Sequence, residues 1–188
     1  MKEAIKKAVE VLKQGGIILY PTDTIWGIGC DATNPEAVEI VYKIKQRSDS
    51  KSLVVLAADL DMIALHVKEI PEMAITLVEI TDKPLTIIYP DAVGLAPNVV
   101  AEDGSIAIRV PSGNEFCLQL LKAFRKPIVS TSANISGEKA PAHLKDVSEA
   151  IASAADWTAQ STWDAGATGK ASSIIQLKVN GEVKIIRE

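Results

Sequence analysis

Histidine and cysteine are scarce in this chain, with two of each among 188 residues. Cys30 and Cys117 lie far apart with no second pair, which excludes a disulfide framework and a Cys-x-x-Cys metal half-site. Both read as small apolar core residues. His66 and His143 fall on expected helices, and no nucleophile elbow accompanies them, so a Ser-His hydrolase lacks its parts. Aromatic residues make up only 4%, too few for a stacking platform on single-stranded RNA. No run approaches the ~18 apolar residues that cross a bilayer. Met1-Lys-Glu-Ala-Ile-Lys-Lys carries charges where a secretory leader has an apolar stretch, so a cytoplasmic location is expected. A basic excess is also missing: 20 Lys plus Arg face 24 Asp plus Glu, a net charge of −4. That argues against a surface that coats duplex nucleic acid, and any such role needs a local patch.

What is present is apolar sequence in the right periods. Hydrophobic residues account for 47% and charged ones for 23%, the balance of a soluble globule. Ile5, Ala8, Val9 and Leu12 recur at helical spacing, and Gly15-Gly16 closes that helix. Ile17 to Tyr20 reads as a strand buried on both faces. Asn34-Pro35 opens a second helix carrying Ala37, Val38, Val41 and Ile44. Further strands are expected over Leu53 to Ala57, Leu85 to Tyr89, Ile106 to Val110 and Pro127 to Ser130. Helices are expected over Asp59 to Val67, after Pro71, around Phe116 to Phe124 and over Leu144 to Ala155. The last two runs, Ile174 to Val179 and Val183 to Ile186, flank Asn180-Gly181, a strong hairpin signal. Strands alternating with helices give one α/β domain over 1–188 with a mixed sheet. Only Ser153 to Ser173 lacks a clear pattern; it is either a loop or a wall of a site.

Four segments hold polar residues that a core does not request. Pro21-Thr-Asp-Thr-Ile-Trp-Gly-Ile-Gly29 follows a buried strand, at the end where open α/β sheets place ligands. Asp23 there either caps a turn or serves a site, and Gly27 and Gly29 either turn the chain or admit a ligand. Lys45-Gln-Arg47-Ser-Asp-Ser-Lys51 concentrates cations at a helix end; they complement its dipole or, if the chain extends, form an anion clamp. Arg109 sits inside an apolar strand and must face a structural carboxylate or a bound anion. Ser130-Thr-Ser-Ala-Asn134 can ring an anion with neutral donors or cap the next helix.

Three familiar motifs fail. Gly27-Ile-Gly-Cys-Asp-Ala32 precedes a helix that starts only at Asn34-Pro35, too late for a dinucleotide fingerprint. Asp164 to Ala171 lacks the leading Gly and the hydroxyl after Lys170 of a P-loop. Ser48-Asp-Ser-Lys51 has no helix to carry it and no Lys-Thr-Gly partner, which excludes a penicillin-binding arrangement.

Taken in order, Pro21 to Gly27, Lys45-Gln-Arg47, Arg109-Val-Pro111, Ser130 to Asn134, Ser172-Ser173-Ile174 and Arg187 resemble the motifs of the YrdC-like threonylcarbamoyl-AMP synthase family, in its short single-domain form. The resemblance covers nearly the whole chain. It implies a YrdC-like open twisted mixed sheet with flanking helices and a concave basic cavity. It implies a reaction of L-threonine, bicarbonate and ATP that releases pyrophosphate and yields threonylcarbamoyl-AMP, used by a partner transferase to modify tRNA. On that resemblance Thr24, Arg109, Ser130, Ser172 and Ser173 hold threonine. Lys45, Arg47, Lys51, Ser132, Asn134 and Arg187 hold ATP with its Mg²⁺, Lys45 and Arg47 being catalytic. Trp26 replaces the family's usual Tyr, Ser48 and Ser52 stand where proline is common, Leu56 stands where some relatives have His, and Ser173 replaces Thr. The chemistry suits the residues, since phosphoryl-centre attack needs alignment and charge neutralisation more than a strong base. The competing expectations are a non-catalytic RNA-binding module with weak tRNA affinity, and an ATP-dependent carbamoyl transferase of the hydrogenase-maturation type.

Overall fold

The computed structural model describes residues 1–46 and 53–188, so Arg47 and Lys51 lie outside the described residues. Helix α1 (Lys2–Lys13) buries Ile5, Ala8, Val9 and Leu12 and ends before Gly15, whose φ of +78° suits glycine. Strand β1 (Ile18–Pro21) is buried throughout and turns back into β2 (Trp26–Gly29). The second strand corrects the expectation of a loop here, which rests on glycines being poor strand formers. In this strand they are required by contact: a Cβ on Gly29 would sit 2.1 Å from the Val129 carbonyl oxygen, and one on Gly27 3.1 Å from that of Thr131. Neither glycine makes a turn.

Asn34 caps α2 (Pro35–Ile44), accepting a hydrogen bond from the Ala37 N–H at 3.1 Å. Strand β3 (Val54–Leu56) is followed by short α3 (Leu60–Ala64), α4 (Glu72–Ile80), β4 (Leu85–Tyr89) and β5 (Ile106–Arg109). Asn114 caps α5 (Glu115–Phe124) through the Cys117 N–H at 2.9 Å, and β6 (Ile128–Ser132) returns through the middle of the sheet. The helix expected over Leu144 to Ala155 is divided. A 3-10 turn (Leu144–Asp146) comes first, Val147 and Ser148 are extended, and α6 (Glu149–Ser153) follows. Strand β7 (Trp157–Thr158) lies in the stretch that lacks a sequence pattern. The chain closes with β8 (Ser173–Leu177) and β9 (Val183–Arg187). The hairpin between them is tied by the Lys178 N–H on the Glu182 carbonyl at 3.0 Å, with Gly181 at φ +85°.

The described residues form one nine-stranded mixed sheet in the order β7-β1-β2-β6-β3-β5-β4-β8-β9. The register separates its two faces. Val129, Val55, Ile108 and Ile87 are cross-strand partners and are all buried, the row on which the core is built. One residue along, Ser130, Val54, Ala107 and Ile88 form the neighbouring row, which the pleat turns to the opposite face. That second row floors a cleft.

Candidate active site

The cleft encloses about 600 Å³ and draws on strands that are distant in sequence. Val54, Ala107, Ile88 and Ile174 make an apolar floor, with Leu53 and Ile186 beside it. Thr22, Thr24, Ser130, Ser132, Asn134 and Ser172 supply neutral polar groups. The charged side chains among the described lining residues are Arg109, Arg187 and Glu138.

Arg109 ends β5 with its side chain 7% exposed, so its charge must be compensated inside the protein. Its Nη2 lies 3.2 Å from Oδ1 of Asp23, whose side chain is 0% exposed. The two are close enough for charge pairing, although Oδ1 is not aligned as a hydrogen-bond acceptor. Nη2 also donates to Thr24 Oγ1 at 3.3 Å, and Nη1 donates to Ser172 Oγ at 3.4 Å, while Nε has no partner among the described residues. Burial pushes the Asp23 carboxyl above its usual value; the Arg109 charge and the Ser112 N–H, 3.3 Å from Oδ2, pull the other way. Both sequence alternatives for Arg109 therefore meet in one residue: it has a structural carboxylate behind it and a cleft in front.

The turn before β2 is ordered by its first threonine. Thr22 Oγ1 donates to the Ile25 carbonyl at 2.9 Å and lies 2.8 Å from Thr24 Oγ1. From the other side, Thr168 and Gly169 donate their N–H groups to the Asp23 and Thr24 carbonyls at 2.9 and 2.7 Å. The unpatterned stretch is thus a site wall. It is held further by Trp163, stacked on Phe116 with centroids 4.9 Å apart, and by Asn114 Nδ2 donating to the Trp163 carbonyl at 2.9 Å. Trp26, in the place of the family's tyrosine, is 0% exposed and donates Nε1–H to Asp164 at 3.3 Å.

On the opposite bank, Arg187 donates Nε–H and Nη2–H to the Ser172 carbonyl at 2.9 and 2.7 Å. No carboxylate among the described residues pairs with it. Its pKa is lowered, first by burial and then by the Arg109 charge, so the two guanidiniums repel across one space. Two cations held against their mutual repulsion make a seat for an anion. Ser172 bridges them, with its hydroxyl 2.7 Å from that of Thr86.

Lys45 is the C-cap of α2 at φ −76° and ψ −5°, and the clamp expected of it together with Arg47 lies partly outside the described residues. Its ammonium is buried and donates to the Ser132 and Asn134 carbonyls at 2.6 and 2.8 Å. Lys45 is not among the described lining residues of this cleft. Ser130, Ser132 and Asn134 line the cleft, and Asn134 Nδ2 donates to the Ile135 and Glu138 carbonyls at 3.0 and 2.8 Å. Ser172 lines it and Ser173 does not, because adjacent strand residues face opposite ways. Thr22 lies within the polar segment singled out after the first strand without being named there, Thr86 is legible only as a hydroxyl within an apolar strand, and Glu138 carries no sequence signal.

Comparison with known proteins fits this geometry. The Sua5/YciO/YrdC family model, which carries the description "telomere recombination", matches residues 10–188. The chain belongs to the Sua5/YciO/YrdC family. A Hahella chejuensis protein named threonylcarbamoyl-AMP synthase is 37% identical over 69% of this chain and 71% of its own. A Chromohalobacter salexigens protein of the same name is 33% identical over 81% and 82%. P. abyssi Sua5, solved in complex with L-threonine, superposes with a TM-score of 0.84 at 26% identity over 92% of this chain. This chain spans 50% of that protein's length.

Proposed function

We propose that this chain is an L-threonylcarbamoyladenylate synthase, which condenses L-threonine, bicarbonate and ATP into threonylcarbamoyl-AMP and pyrophosphate. The observation that carries the reading is the pair of cleft guanidiniums, Arg109 fixed by Asp23, Thr24 and Ser172, and Arg187 fixed by the Ser172 carbonyl. Threonine carries a carboxylate and ATP a polyphosphate, and the two cations give each of these anionic groups a partner. Arg109 faces the threonine carboxylate, with Thr24, Ser130 and Ser172 around it. Arg187, Ser132 and Asn134 face the nucleotide.

The threonine amine adds to bicarbonate with loss of water to give a carbamate. The carbamate oxygen then attacks the α-phosphorus and pyrophosphate departs. The residues' contribution is to hold nucleophile and phosphorus in line and to neutralise charge, which accounts for the lack of a histidine base. Magnesium accompanies the nucleotide: no cluster of three or more His, Cys, Asp or Glu is present among the described residues, while Glu138 lines the cleft. Such a donor set fits a cation held mostly by phosphates and water. When bound, it supplies charge neutralisation on the polyphosphate. The product is an activated mixed anhydride, so it implies a transferase partner that passes the group to tRNA. A purely RNA-binding role is not favoured.

The test is pyrophosphate release by the purified protein with ATP and bicarbonate, with threonine, with serine and without amino acid. Release should require threonine and fall moderately with serine, since one methyl is worth about 1–3 kcal/mol. Release that ignores the amino acid refutes the reading.

A further inference from the structure

Strand β4 buries a threonine hydroxyl that a strand does not need. Thr86 is flanked by Leu85, Ile87 and Ile88, and its relative exposure is 0%. Valine has the same branched shape and would suit a buried strand equally well, without the cost of taking a hydroxyl out of water. Among the described residues the side-chain partner of Thr86 is Ser172, with the two hydroxyl oxygens 2.7 Å apart. Thr86 shares its face of β4 with Ile88 of the cleft floor, and does not itself line the cleft. Ser172 stands one residue before β8, where its backbone is steadied by the Ser173 N–H donating to the Pro84 carbonyl at 3.2 Å. Its side chain is steadied by Thr86, and this holds whichever of the two hydroxyls donates. Ser172 Oγ in turn accepts from Arg109 Nη1 at 3.4 Å, whereas Asp23 and Thr24 both meet Nη2.

We propose that Thr86 is a positioning residue for the amino-acid half of the cleft: its hydroxyl fixes the Ser172 side chain against Arg109, and so fixes the guanidinium that faces the carboxylate of the amino-acid substrate. The proposal rests on the reading of the cleft as a threonine site. Without the Thr86 hydroxyl, Ser172 is free to turn to another rotamer, and the guanidinium keeps its fixed contacts at Nη2 alone. Carboxylate recognition by a guanidinium depends on the orientation of its planar fork, so threonine affinity falls with that freedom. The nucleotide half is insulated from the change. Arg187 donates to the Ser172 carbonyl, a backbone atom whose place does not depend on the side-chain rotamer. Thr86 acts through Ser172 and touches neither substrate.

The experiment measures L-threonine and ATP affinity calorimetrically for the wild type, Thr86→Val, Thr86→Ser, Ser172→Ala and Thr86→Val/Ser172→Ala. Thr86→Val keeps the branched shape and loses the hydroxyl. It should weaken threonine about three- to tenfold, the range of one neutral hydrogen bond, and leave ATP binding unchanged. Thr86→Ser keeps the hydroxyl and should bind threonine as the wild type does. In the Ser172→Ala background the Thr86→Val change should add no further loss, because its effect passes through Ser172. Equal threonine affinity in wild type and Thr86→Val overturns the proposal. So does a parallel loss of ATP affinity, a Thr86→Ser variant as weak as Thr86→Val, or an additive double variant. Wild-type protein that binds no threonine defeats the functional reading together with the proposal, a different result from a wild type that binds it and a Thr86→Val variant that does so equally well. If the valine variant fails to fold, Thr86→Ala carries the same comparisons.

Discussion

The Asp23–Arg109 pair permits a quantitative prediction about which partner the fold can lose. At 3.2 Å, with an effective dielectric of about 20, their attraction is on the order of 5 kcal/mol. That gain is offset by the cost of removing two charges from water, several kcal/mol for each ion. The pair should therefore be nearly neutral as a unit and costly to break. Asp23→Asn leaves Arg109 buried without a counter-charge and should destabilise the protein by about 3–5 kcal/mol. Arg109→Met should do the same by stranding Asp23. Asp23→Asn/Arg109→Met should return to within about 1–2 kcal/mol of the wild type, because no unpaired charge remains. Urea unfolding followed by circular dichroism reads this as midpoints lowered by about 1–3 M in the single variants and largely recovered in the double. Threonine-dependent pyrophosphate release should stay abolished in the double variant, separating stability from function. A double variant less stable than either single would refute the reasoning.

Lys45→Met removes a charged donor from the Ser132 and Asn134 carbonyls and should cost about 2–4 kcal/mol, with weaker ATP binding; urea melts and ATP calorimetry check both. Gly29→Ala places a methyl 2.1 Å from the Val129 carbonyl oxygen and should cost at least about 3 kcal/mol or prevent folding, read from thermal melts and soluble yield.

Much of the fold is legible because its signals are local. Asn34 and Asn114 are short acceptors ahead of helical runs, and both cap as their chemistry dictates. Leu85 to Tyr89 reads as a strand and is one. Strand β2 is hidden for the opposite reason: two glycines look like a loop until β6 comes within contact distance of them. Segment 153–173 is unreadable in sequence because its order comes from Phe116, Asn114 and the Asp23 and Thr24 carbonyls, all remote along the chain. The site residues are recognisable by type and motif, and their division of labour is not. Lys45 reads as a ligand by motif, and the structure adds that its ammonium donates to the Ser132 and Asn134 carbonyls.

The class of protein is written in short segments: the apolar periods, the caps and the scattered Arg, Ser and Thr motifs each follow from side-chain shape and donor count. How the charges are used depends on the packed fold. An arginine's role depends on what lies within a few ångströms and how much water is excluded. Asp23 reaches Arg109, and Arg187 reaches Ser172, only after nine strands have been ordered.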